Sequence, residues 1–196
     1  MKVRKLILIS ISLFHVFNLA SIKSSTKDNI KIVSLNSLGA DIVSKLNNES
    51  LVGIPGSSLL KGDKSLQDKV VISSGRMPPS IEKIIELKPD LVIGSKGFHD
   101  KVLSKLNQLN IKTLETETKS IKNLETFIEK LSKTLNKDKN ILLNKIKNCY
   151  KIPEKRKGSA VVLASTKPLL SPNSQSWSGS LLDRFKFNNI SNNFKS

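Results

Sequence analysis

Few side chains in this sequence have the chemistry to hold or transform another molecule. Arg76 is one of very few arginines in a lysine-dominated chain. Its planar fork suits bidentate contact with carboxylate or phosphate oxygens, although a loop arginine resting in water is the plainer alternative. Trp177, the only tryptophan, lies in a polar, proline-containing stretch and not on a periodic apolar face. An exposed ring there can stack on a flat ligand or simply pack its own loop. His99 follows Phe98 at an expected helix start, where a surface position is the default. Glu82 and Glu86 stand one helical turn apart, yet Lys83 and Lys88 beside them read as a solvated face before they read as an acid and a base.

Several chemistries are excluded by what is missing. A nucleophile triad needs a histidine base, the chain holds only His15 and His99, and no Gly-x-Ser-x-Gly turn surrounds any serine. No credible catalytic constellation is found, and no enzymatic activity is expected. One cysteine, Cys149, rules out an internal disulfide and any cysteine-cluster metal site. With so few histidines, direct transition-metal ligation is not expected, and no metal-ligating residue or cofactor is assigned. Neither a phosphate loop nor a dinucleotide fingerprint occurs.

These residues need elements to position them, and 196 residues allow one ordinary domain or two small lobes. Lys and Arg number 33 against 16 Asp and Glu, a net charge of +17. The lysines are scattered, as at Lys101, Lys105, Lys130 and Lys133, along the polar faces of amphipathic segments. That spacing describes solvated faces and not a phosphate-binding patch, so no nucleic-acid partner is expected.

Residues 1–21 read as an address and not as part of a fold. Lys2, Arg4 and Lys5 precede an apolar run from Leu6 to Phe17, and small residues follow near Ala20 and Ser21, the pattern of a cleavable secretory signal peptide. A retained anchor is the alternative, but the run is shorter than the roughly 20 residues of a spanning helix and holds His15 and Asn18.

Beyond Asn29 the chain alternates. Strands are expected at Lys31–Leu35, Leu51–Ile54, Val70–Ile72, Leu91–Ile93 and Ile111–Leu114, separated by helices carrying Leu38 to Leu46, Ile81 to Leu87 and Val102 to Leu109. Pro79 is expected in the first turn of the second of these helices, and Pro89 just past its end. Apolar strands between amphipathic helices predict an α/β fold, a parallel sheet covered on both faces, at residues 30–118. Two helices form a connector at 119–152, the second lying between lobes. A linker from Pro153 to Gly158 then leads to an incomplete second α/β lobe at 158–196. That lobe is expected to hold a strand at Ala160–Ala164, a polar loop at Ser165–Ser178 and a last helix at Leu181–Phe185.

In an open parallel sheet, ligands bind beyond the carboxyl ends of the strands. The loops there supply Asn36 and Ser37; Gly56 and Ser57; Gly75, Arg76 and Met77; and Lys96, Gly97 and Phe98. Together with Trp177 they are the candidate ligand-binding residues.

The run Pro79-Ser80-Ile81-Glu82-Lys83-Ile84-Ile85-Glu86-Leu87-Lys88-Pro89-Asp90-Leu91-Val92-Ile93 carries a resemblance. So do Lys31–Leu35 with the helix start at Ser37 to Asp41, Leu51–Ile54, Ser178–Asp183 and Asn188–Ile190. The chain resembles the periplasmic solute-binding proteins of ABC importers, of the vitamin B12 and ferric-siderophore family. The resemblance implies capture of a cobalamin-, haem- or ferric-siderophore-like small molecule between two lobes in the periplasm, and delivery to a membrane permease. It also implies that Trp177 faces the cleft from the second lobe and that Glu82 docks on arginines of the permease. Family members usually continue beyond Ser196, so a truncated C-terminal lobe is expected. The alternative is a non-transporting relative that serves as a secreted scaffold or interaction protein.

Overall fold

The computed structural model describes residues 30–74, 77–149 and 151–193. The expected leader, Gly75, Arg76 and Tyr150 lie outside the described residues. The β-branched and leucine runs form five strands: β1 (Ile32–Ser34), β2 (Leu51–Gly56), β3 (Val70–Ser74), β4 (Leu91–Ser95) and β5 (Thr113–Thr116). All pair in parallel, in the order β3-β2-β1-β4-β5. The helices are α1 (Ser37–Asn47), α2 (Ile81–Glu86), α3 (Asp100–Gln108), α4 (Ile121–Leu135) and α5 (Asn140–Cys149).

Strand side chains alternate between faces, which explains why the apolar runs are nearly continuous. Ile32 and Ile93 point into one core with Val43 of α1, Leu131 of α4 and Leu143 of α5. Val33 and Val92 point into the other with Ile84 of α2 and Leu103 and Leu106 of α3. The architecture is the expected helix, parallel sheet, helix sandwich. Leu131 is fully buried, and truncating such a side chain costs about 2–5 kcal/mol. Leu142 and Leu143 place α5 in the same core as the sheet.

Local bonds move several boundaries. The Ser80 hydroxyl accepts the Lys83 N–H at 3.2 Å, so α2 starts at Ile81 and Pro79 stays outside its first turn. Strand β5 begins two residues later than expected, because Asn110 turns left-handed at φ 60° and the Ile111 N–H bonds back to Leu106 O at 3.0 Å. In the C-terminal segment the strand expected at Ala160–Ala164 shrinks to β6 (Ser159–Ala160). Its partner β9 (Asn188–Asn189) offers two positions only, and Val161 and Leu163 stay exposed. The expected loop contains an antiparallel pair, β7 (Ser165–Thr166) and β8 (Leu169–Leu170). The last helix, α6 (Trp177–Arg184), starts four residues early because Ser176 caps it, accepting the Gly179 N–H at 3.1 Å. Among the described residues no helix is long and apolar enough to cross a membrane.

Candidate functional site

The strand order reverses between β1 and β4, which opens a crevice at their carboxyl ends. Asn36 stands there. As the N-cap of α1, its Oδ1 accepts the Gly39 N–H at 2.7 Å. Its Nδ2 donates to Ser95 Oγ and Thr116 Oγ1, each at 3.0 Å. One side chain thereby joins the start of α1 to the ends of β4 and β5, and both amide hydrogens are committed to the scaffold.

The turn after β4 is built on His99. The Ser95 N–H donates to His99 Nδ1 at 2.9 Å, while the His99 N–H donates to Ser95 O at 2.9 Å. Gly97 takes φ +81°, a conformation that favours glycine, and its N–H donates to Asp100 Oδ1 at 2.7 Å. The expected surface position for His99 is corrected here: this double tie draws the ring inward, and it is 6% exposed. Burial holds the imidazole below its ordinary pKa, with Asp100 opposing. A backbone N–H can only donate, so Nδ1 must accept and a neutral ring carries its proton on Nε2. Phe98, next in the turn, is 84% exposed. Its ring meets the His99 ring edge-on at 4.8 Å.

At the end of β2, Gly56 runs so close to β3 that a Cβ there would sit 2.2 Å from the Ser73 carbonyl oxygen. Ser57 accepts the Leu59 N–H at 3.2 Å and starts a short helical turn at Ser58–Leu60, which leaves Leu59 83% exposed. After β3, Met77 is 68% exposed.

These loops enclose a cleft of about 1150 Å³. Of the candidate ligand-binding residues it brings together Asn36, Ser37, Gly56, Ser57, Met77 and Phe98, and it adds His99. Lys61, Lys69 and Lys101 stand on its walls against one carboxylate, Asp63. Lys69 pairs with Asp68 at 3.2 Å. Hydrogen bonds from the Ser65 hydroxyl and N–H hold the Asp63 carboxyl below its ordinary pKa. Lysines in this stretch read as scattered surface charge; the signal that a cleft wall is built there was the pair of turn starters, Ser57 and Asp63, each bonding the N–H two residues on.

Other candidates lie elsewhere. Lys96 borders a separate depression of about 400 Å³ and faces Glu117 at 3.8 Å. Gly97 is not among the cleft residues, and Trp177 is half-buried as the first residue of α6, also outside the cleft lining. Gly75 and Arg76 fall outside the described residues. Glu82 is exposed at the start of α2. Its own backbone N–H and the Ser80 hydroxyl, which donates to Oε2 at 3.1 Å, hold its carboxyl below the ordinary pKa. Among the described residues no group of three or more His, Cys, Asp or Glu converges to hold a metal ion.

Comparison with known proteins follows this geometry. A family model, that of the periplasmic binding proteins, matches residues 32–195. The iron-uptake system-binding protein of Bacillus subtilis (strain 168) is 41% identical over 44 residues, 22% of this chain and 14% of that protein. An ABC transporter substrate-binding protein from Listeria monocytogenes EGD-e is 24% identical with a TM-score of 0.65, over 86% of this chain and 67% of that one. The periplasmic vitamin B12 binding protein BtuF of Vibrio cholerae is 22% identical with a TM-score of 0.60, over 82% of this chain and 65% of that one. S. aureus IsdE, solved in complex with haem, is 21% identical with a TM-score of 0.59, over 83% of this chain and 65% of that one. At these identities the likeness to the solved structures is one of fold, and the chain spans about two thirds of their length.

Proposed function

Because the chain belongs to the periplasmic binding protein family, we propose that it captures a bulky small molecule in the cleft and delivers it to the permease of an ABC importer. The ligand is cobalamin-, haem- or ferric-siderophore-like. One observation carries this reading. Met77 and Phe98, on two separate loops, are 68% and 84% exposed and line a cleft of about 1150 Å³. Scattered apolar side chains on a surface are ordinary, but two large ones from separate loops lining one concave site mark a binding site. Pockets for drug-sized molecules run to about 1,000 Å³, so a cleft of this size suits a bulky ligand. The family binds its ligands and does not transform them.

The remaining assignments belong to the same proposal. Residues 1–21 direct export to the periplasm, 30–118 form the first lobe, 119–152 the connector and 158–196 part of the second lobe. Gly75 and Arg76 contribute to ligand binding, the guanidinium meeting an anionic group, whereas Trp177, Lys96 and Gly97 lie outside the lining of this cleft and are not assigned to the ligand. Glu82 docks on the permease. The test is titration of the leader-free chain with cyanocobalamin, haem and a ferric siderophore, followed by heat release and ligand absorbance. Saturable one-to-one binding of any of them supports capture; no binding by a folded chain overturns it.

A second reading, a secreted scaffold or interaction protein, is favoured by apolar exposure in the C-terminal segment. Leu163, Leu169 and Leu170 are 54%, 70% and 52% exposed there. It predicts concentration-dependent self-association in sedimentation and no affinity for the three ligands.

A further inference from the structure

Among the described residues His99 is the one buried ionisable side chain, it lines the cleft, and the capture reading leaves it without a role. Its Nδ1 is engaged by the Ser95 N–H at 2.9 Å. Among the described residues Nε2 has no hydrogen-bond partner. The other nitrogen donor beside it is already used: both amide hydrogens of Asn36 are donated to Ser95 and Thr116.

We propose that His99 is a specificity-determining donor, which offers Nε2–H from the cleft floor to an acceptor oxygen of the bound molecule, a carboxylate or an amide carbonyl. This rests on the capture reading and adds to it a stated ligand chemistry. The same geometry bars the ring from ligating a metal. Ligation through Nε2 needs the lone pair of that nitrogen, hence a proton on Nδ1, and that proton would point at the Ser95 N–H, donor against donor. A chelated metal in this cleft is therefore recognised at His99 through the oxygens of its chelate.

Two substitutions separate the tie from the donor. His99→Asn keeps an acceptor at the position of Nδ1 but has nothing at Nε2. His99→Gln keeps an amide N–H near Nε2 but loses the near acceptor. The test combines nitrogen NMR of the imidazole in the ligand-free chain with titration of both variants and the wild type by haem, cyanocobalamin and ferrioxamine B. Haem presents carboxylates, and the other two present amide or hydroxamate carbonyls. The expected result is a proton on Nε2 in the free chain. His99→Asn should keep its thermal midpoint and lose about tenfold in affinity for whichever probe binds, the loss of one hydrogen bond. His99→Gln should unfold earlier yet stay within about threefold of the wild-type affinity. A proton on Nδ1 overturns the proposal. So does the reverse pattern, in which His99→Asn binds normally and His99→Gln does not, because the histidine then serves the turn alone. If the folded wild type binds none of the probes, the capture reading fails and this inference fails with it, an outcome distinct from binding that ignores His99.

Discussion

Asn36 satisfies a backbone N–H in the first turn of α1 and His99 one at the end of β4, and both do so at the mouth of the cleft. Replacing Asn36 with Ala removes the cap on Gly39 and the donors to Ser95 and Thr116. A lost cap costs about 1 kcal/mol and each bond about the same again, so the variant should lose about 2–3 kcal/mol in urea unfolding. A loss under about 0.5 kcal/mol would show that the tie is not formed. His99 makes stability depend on pH. Its folded pKa lies below the unfolded value of about 6.5, so between the two the unfolded chain binds more protons and stability rises with pH. The contribution is complete above about pH 6.5 and is lost as acidification passes through the folded pKa. His99→Asn should flatten that part of the stability profile, and an unchanged slope would assign it to other groups. The identity of both residues was legible in the sequence as polar groups at a loop and a helix start. That His99 is buried was not, because burial came from two bonds to Ser95 that close only when the turn forms.

The loops after β3 and β4 line one cleft together, each holding an apolar side chain clear of the core. Changing Met77 and Phe98 to Ser should shift unfolding free energy by no more than about 0.5 kcal/mol each, since exposed side chains contribute little to stability. The same changes should weaken ligand binding in calorimetric titration at least tenfold in combination, which is what the loss of their apolar contact with a ligand predicts. Destabilisation without loss of affinity would return these residues to local packing. At this scale the sequence was a good guide where periodicity is long and a poor one where it is short. Helix α4 matched its apolar spacing over fifteen residues. Strand β6 did not extend over its apolar run, because a strand exists only where a neighbour pairs with it, and β9 supplies two residues.

For the whole molecule, the parallel sheet brings four separate loops to one end and leaves Glu82 exposed at the head of α2. If the cleft captures and α2 docks, the two tasks separate. Glu82→Ala should leave ligand affinity unchanged and reduce uptake through the permease in reconstituted vesicles; a tenfold loss of affinity would place Glu82 in the ligand site instead. The sequence by itself determined the α/β class, the order of strands and helices and the loops that could meet a ligand. Period-2 and period-3.6 apolar patterns are local, and they are imposed by which side chains must leave water. Only the tertiary structure decided the strand order, the gathering of Met77, Phe98 and His99 on one cleft with Lys61, Lys69 and Lys101, and the separation of Lys96 and Trp177 from it. Those relations join residues far apart in the chain, and they arise when parallel pairing sets β1 beside both β2 and β4, a choice that no single segment encodes.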